Sequence, residues 1–106
     1  MSRTIQAQEL KSILGSKGVT VIDVRRKDDY AADDSAIPGS TWLDPAQIDN
    51  WSSSLPADKE VVLYCVRGGA VSNSVVDALQ AKGLKARFIE GGITAWKEAG
   101  GSVEQK

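Results

Sequence analysis

The sequence has no histidine and a single cysteine, Cys65, and these two shortages exclude whole classes of chemistry. Without histidine the usual cysteine and histidine sets for zinc cannot be assembled, so no metal site is expected. One cysteine forbids an internal disulfide. No apolar run approaches the ~20 residues that a membrane span requires, and "MSRTIQAQELKSIL" lacks the continuous apolar core of a signal peptide. The expected location is the cytoplasm, where a thiol stays reduced. There is also no block of like charge: 13 basic and 14 acidic residues are interspersed to a net charge of −1. Neither a nucleic-acid footprint nor a basic membrane patch stands out, which leaves small anions as partners, since those need only a local positive field.

What is present suits one compact domain over residues 1–106. With 42% apolar and 25% charged residues, the chain has the composition of an ordinary globular protein. Ala7, Leu10, Ile13 and Leu14 recur at helical spacing, and Gly15 and Gly18 follow as stop signals. "VTVIDV", Val19 to Val24, is β-branched and nearly apolar, as a parallel strand buried on both faces would be. The charged "RRKDDYAADDS" predicts a short helix and loop, and "AIPGSTWLDP" a short strand reaching Trp42. Pro45 after the cap residue Asp44 opens one or two helical turns.

"EVVLY", Glu60 to Tyr64, predicts a further strand. From Val71, apolar Val71, Val75 and Leu79 with Ser72 and Val76 share a helix face, opposite Asn73, Asp77 and Gln80. Gly83 is a natural C-cap with Leu84 packing back, "ARFIE" predicts a strand, and a closing helix runs from about Ile93 to Ala99. Alternating strands and helices predict the α/β class: a central parallel sheet of about five strands with helices on both faces.

In such sheets ligands collect at the carboxyl ends of strands, and Cys65 directly follows the strand Glu60 to Tyr64. Gly68 and Gly69 would let the backbone N–H groups of Val66 to Ala70 converge as an anion nest. The start of the following helix and the charge of Arg67 both favour thiolate over thiol. Ser72, in the first helical turn, is placed to donate to the sulfur or to a bound oxyanion. A lone cysteine is most often an inert small hydrophobe; the strand end, the glycine pair, the arginine and the helix start together outweigh that.

With "VIDVR" at Val21 to Arg25, "IPGS" at Ile37 to Ser40, "VVLYCVRGG" at Val61 to Gly69 and "GGITAWKEAG" at Gly91 to Gly100, the chain resembles the single-domain rhodaneses, a sulfurtransferase family. The resemblance implies a rhodanese-like fold and a catalytic Cys65. That cysteine would take sulfane sulfur from a thiosulfate-like donor, become a persulfide, and pass the sulfur to a thiophilic acceptor such as cyanide or a thiol. No cofactor is implied. Val66, Arg67, Gly68, Gly69, Ala70 and Ser72 would bind the donor, with Arg67 steering its sulfonate; a solvated arginine at the loop rim is the alternative for that residue. For Asp23 and Arg25 it implies structural support, fastening neighbouring loops, rather than acid and base chemistry. Trp42, Trp51 and Trp96 are expected to pack in the core or at its edge.

Two departures from the family pattern matter. Ser35 and Ala36 stand where many members carry glycine and histidine, and Ala70 and Val71 stand where many place arginine, serine or threonine. Dual-specificity phosphatases and some arsenate reductases share the scaffold, but their loop needs an arginine six residues past the cysteine, and Val71 holds that position. A dithiol redox enzyme lacks its resolving cysteine. The remaining alternative to the enzyme is a noncatalytic rhodanese-like sulfur carrier or sensor, or an interaction module. Oligomeric state does not follow from the sequence.

Overall fold

The computed structural model describes residues 4–13, 19–55, 59–67 and 69–105. Five short strands form one parallel sheet: β1 (Thr4–Ile5), β2 (Val19–Asp23), β4 (Thr41–Trp42), β5 (Glu60–Tyr64) and β6 (Ala86–Ile89), in the order β1-β6-β5-β2-β4. β5 is central and runs in register with β2, from Val19 beside Glu60 to Asp23 beside Tyr64. Its side chains alternate as a two-residue period requires. Val61, Leu63 and Cys65 enter one apolar cluster with Val75, Val76 and Leu79, while Val62 and Tyr64 enter a second with Leu10, Ile93 and Trp96.

Each cluster is capped by helices, so both faces of the sheet are covered, and the fold is a single α/β domain. α4 (Ala70–Ala81) and α3 (Ile48–Trp51) cover the first cluster; α1 (Ala7–Ile13) and α5 (Gly92–Glu98) cover the second. α4 ends as expected. The Leu84 N–H donates to the Leu79 carbonyl at 3.1 Å and that of Gly83 to Gln80 at 3.0 Å, with Gly83 at φ +83° and Leu84 buried beneath the last turn. Asp44 caps its turn through the Ala46 N–H at 2.9 Å; that turn begins as a 3₁₀ segment, Pro45–Gln47, before α3.

Several boundaries differ from the sequence-based expectation. The strand through Val24 ends at Asp23, although the Val24 N–H still donates to the Tyr64 carbonyl at 2.8 Å. α4 starts one residue early, at Ala70, and the last helix is Gly92–Glu98 rather than Ile93 to Ala99. α2 (Lys27–Ala32) occupies the charged segment. A small antiparallel pair, β3 (Ser35–Ala36) with β7 (Glu104–Gln105), follows no pattern legible in sequence, because two residues carry no periodicity. Leu14, Gly15 and Gly18, read as the end of α1, lie outside the described residues, as does Gly68.

Among the tryptophans, Trp51 and Trp96 are buried, and Trp42 stacks on Tyr30 with ring centroids 4.7 Å apart. Each indole N–H donates to a backbone carbonyl: Trp42 to Arg25, Trp51 to Asp44 and Trp96 to Ser102.

Candidate functional site

Cys65 leaves β5 at its carboxyl end and is 7% exposed, at the floor of an open depression of about 380 Å³. Arg26, Asp29, Val66, Arg67, Gly69 and Val71 complete the lining. The parallel topology explains the convergence: Arg26 follows β2, Cys65 follows its neighbour β5, and both chains emerge on the same side of the sheet. Arg67 and Gly69 are exposed and Val66 half-buried. Two guanidinium groups and one carboxylate therefore line the depression, which leaves it net positive and suited to an anion. Arg26 and Asp29 were not singled out from the sequence. They sit in a charged segment that reads only as surface, and the topology alone brings them to the cysteine.

Ser72 is fully buried in the first turn of α4, and its hydroxyl has no hydrogen-bond partner among the described residues. The expected donation to the sulfur is therefore not made in this state. A buried hydroxyl without a partner is costly, about 1–3 kcal/mol.

The loop is held from behind by a feature that sequence reasoning did not reach. The Ile93 N–H at the start of α5 donates to the Cys65 carbonyl at 2.9 Å, and the Thr94 N–H and hydroxyl donate to the Val66 carbonyl at 3.2 and 2.9 Å. This approach needs glycine at position 92. Gly92 sits at φ +63°, and a Cβ there would lie 2.4 Å from the Cys65 carbonyl oxygen and 2.6 Å from the Val66 carbonyl. The paired glycines 91 and 92 were the available signal.

Asp23 and Arg25, both 1% exposed, lie beside the site rather than in it. The Arg25 guanidinium donates to both Asp23 carboxylate oxygens, to Asp33 at 3.1 Å and to the Ser35 carbonyl at 3.0 Å; the Arg25 N–H also donates to Asp23 at 2.9 Å. Burial works to lower the Arg25 pKa, but the Asp23 hydrogen bonds and charge outweigh it, and the pKa stands above its ordinary value. Asp33 extends the chain of charges to Lys97 at 3.0 Å and accepts from the Ser35 N–H and hydroxyl. Desolvation opposes its ionisation, yet the Ser35 and Lys97 bonds hold its carboxyl well below the usual range. The link joins the ends of β2 and α2 to β3 and, through Asp33 and Lys97, to α5, 64 residues further along the chain. Tyr64, just before the cysteine, is fully buried, and burial pushes its pKa up to about 12; its hydroxyl pairs with Ser40 and accepts from the Ile37 N–H.

A model of the rhodanese-like domain matches residues 6–99. The chain belongs to the rhodanese-like family. A rhodanese-related protein of Thermoplasma volcanium superposes with a TM-score of 0.85 at 28% identity, covering 99% of this chain and 100% of that one. The chain is 37% identical over 91 residues to a tRNA sulfurtransferase of Desulfurococcus amylolyticus, covering 86% of this chain but only 17% of that protein. It is 28% identical over 98 residues to the thiosulfate sulfurtransferase GlpE of Coxiella burnetii, covering 92% of this chain and 89% of that protein. Among the described residues, no group of histidine, cysteine or carboxylate side chains is placed to hold a metal, and no helix is long and apolar enough to cross a membrane.

Proposed function

We propose that this rhodanese-like chain is a sulfurtransferase working through Cys65. The observation that carries the proposal is the chain's one cysteine at the carboxyl end of the central strand, on the floor of a depression flanked by Arg26 and Arg67. In the first half-reaction the Cys65 thiolate attacks the sulfane sulfur of a thiosulfate-like anion. The new Sγ–S bond forms as the donor's S–S bond breaks, and sulfite leaves with the electron pair. In the second, cyanide or a thiolate attacks the outer sulfur; the Sγ–S bond breaks and Cys65 departs as thiolate. No base, metal or second cysteine is required, in keeping with a chain that has no histidine.

Each neighbour then has a task. Arg67, with Arg26, steers the sulfonate, and the backbone amides of Val66 to Ala70, Gly68 and Gly69 included, receive the outer sulfur. The unpartnered Ser72 hydroxyl supplies a side-chain donor where Ala70 and Val71 offer none. Asp23 and Arg25 hold the loop after β2, and with it Arg26, in place. A reducing compartment such as the cytoplasm suits a mechanism built on one thiol.

A noncatalytic sulfur carrier is the second reading, compatible with a match that covers only 17% of the length of a tRNA sulfurtransferase. Steady-state thiocyanate formation from thiosulfate and cyanide separates the two. Many turnovers per chain, abolished by Cys65→Ser, support the enzyme; a single sulfur delivered per chain supports the carrier.

A further inference from the structure

A second concavity adjoins the cysteine depression and is larger, about 520 Å³. One wall is α4, presenting Val71, Val75 and Ala78; the other is the turn after β4, presenting Pro45, Ala46 and Ile48. Arg26 and Val71 line both cavities, so the two adjoin at those side chains. Arg26, Lys27, Asp44 and Ser74 are the polar residues of the lining. Lys27 and Ser74 are exposed, and Asp44 is engaged as the cap of its own turn. Elsewhere among the described residues the surface exposes a single large hydrophobic residue, Val103, so an apolar groove is unusual for this molecule and lies beside its nucleophile.

Building on the sulfurtransferase reading, we propose that this groove binds the aliphatic body of the sulfur acceptor, and that the acceptor is therefore an organic thiol with an extended apolar chain. Val71 to Ala78 spans about 10 Å along α4 at 1.5 Å per residue, the length of an extended chain of about eight carbon atoms. Arg26 stands at the junction of the cavities, where a cation favours the incoming thiolate and orients it toward the persulfide. Val71, which in the loop subtracts a side-chain donor, here supplies an apolar wall shared by the two cavities. Transfer balances without another reactant: the acceptor thiolate forms a bond to the outer sulfur, the Sγ–S bond breaks, Cys65 leaves as thiolate, and the acceptor departs as its persulfide.

The test uses the full chain with thiosulfate as donor and mercaptoethanol, mercaptobutanol, mercaptohexanol and mercaptooctanol as acceptors, with cyanide alongside. A fully buried methylene is worth about fourfold in affinity; in an open groove about twofold per methylene is expected in kcat/KM. Ala78→Phe and, on the same wall, Ser74→Phe fill the groove and are read as the ratio of mercaptooctanol to mercaptoethanol, so that any general loss cancels. The expected result is a rise with chain length that both variants flatten. A flat series while cyanide is turned over, or a slope untouched by both variants, overturns the groove assignment alone. Failure of every acceptor, cyanide included, overturns the sulfurtransferase reading beneath it.

Discussion

Replacing Gly92 by alanine tests how the cysteine loop is held. Two costs add at this position. An L-residue at φ +63° is disfavoured by about 1–2 kcal/mol. The Cβ would also lie 2.4 Å from the Cys65 carbonyl oxygen, closer than real Cβ contacts come, and the obstacle is backbone. α5 must then withdraw, which loses or weakens the two backbone bonds, from the Ile93 N–H to Cys65 and from the Thr94 N–H to Val66, each worth about 1 kcal/mol. The sum is about 3–4 kcal/mol, a large share of the ~5–15 kcal/mol of a typical domain. Gly83→Ala is the control. Gly83 has a similar φ of +83° but open space around its Cβ position, so it should lose only the conformational part, about 1–2 kcal/mol. Urea unfolding of both variants measures the difference. Equal losses at the two positions would refute the claim that close backbone approach beneath Cys65 is what requires glycine.

Asp23→Ala leaves the Arg25 guanidinium buried without its main partner and should cost about 3–5 kcal/mol by urea unfolding, far more than an exposed ion pair. Asp33→Asn should cost about 1–2 kcal/mol at pH 7. Because the folded state lowers the Asp33 pKa, its contribution is present at neutral pH and lost as pH falls below about 4, so variant and parent should converge in stability at low pH. Ser72→Ala removes a buried hydroxyl that has no partner, so stability should rise by about 1–3 kcal/mol. Thiosulfate turnover by that variant should fall about tenfold, since one donor to the reacting group is lost. Arg67→Ala should raise KM for thiosulfate several-fold with less effect on cyanide, and equal changes in both would remove Arg67 from donor binding.

The parts of the fold legible in the sequence are those with a sustained period. β2 and β5 are largely apolar runs rich in β-branched residues, and α4 carries one apolar stripe closed by Gly83; these three elements suffice to set Cys65 at a strand end. β1, β3 and β7 were invisible because two residues cannot display a period. The acidic "ADDS" segment reads as the end of a short charged helix and loop, yet Asp33 links Arg25 to Lys97 across the chain. Such a pairing is a long-range contact with no local signature. The same limit hid Arg26, Asp29 and the groove, which exist only once the ends of β2, β4 and β5 lie side by side.

The most direct test of the central claim is intact-protein mass spectrometry of the parent and Cys65→Ser after thiosulfate treatment, followed by cyanide. The parent alone should gain the mass of one sulfur atom and return to its original mass on cyanide addition as thiocyanate appears. A parent that gains no sulfur, or a Cys65→Ser chain that gains it equally, would contradict the assignment of Cys65 as the sulfur-accepting nucleophile.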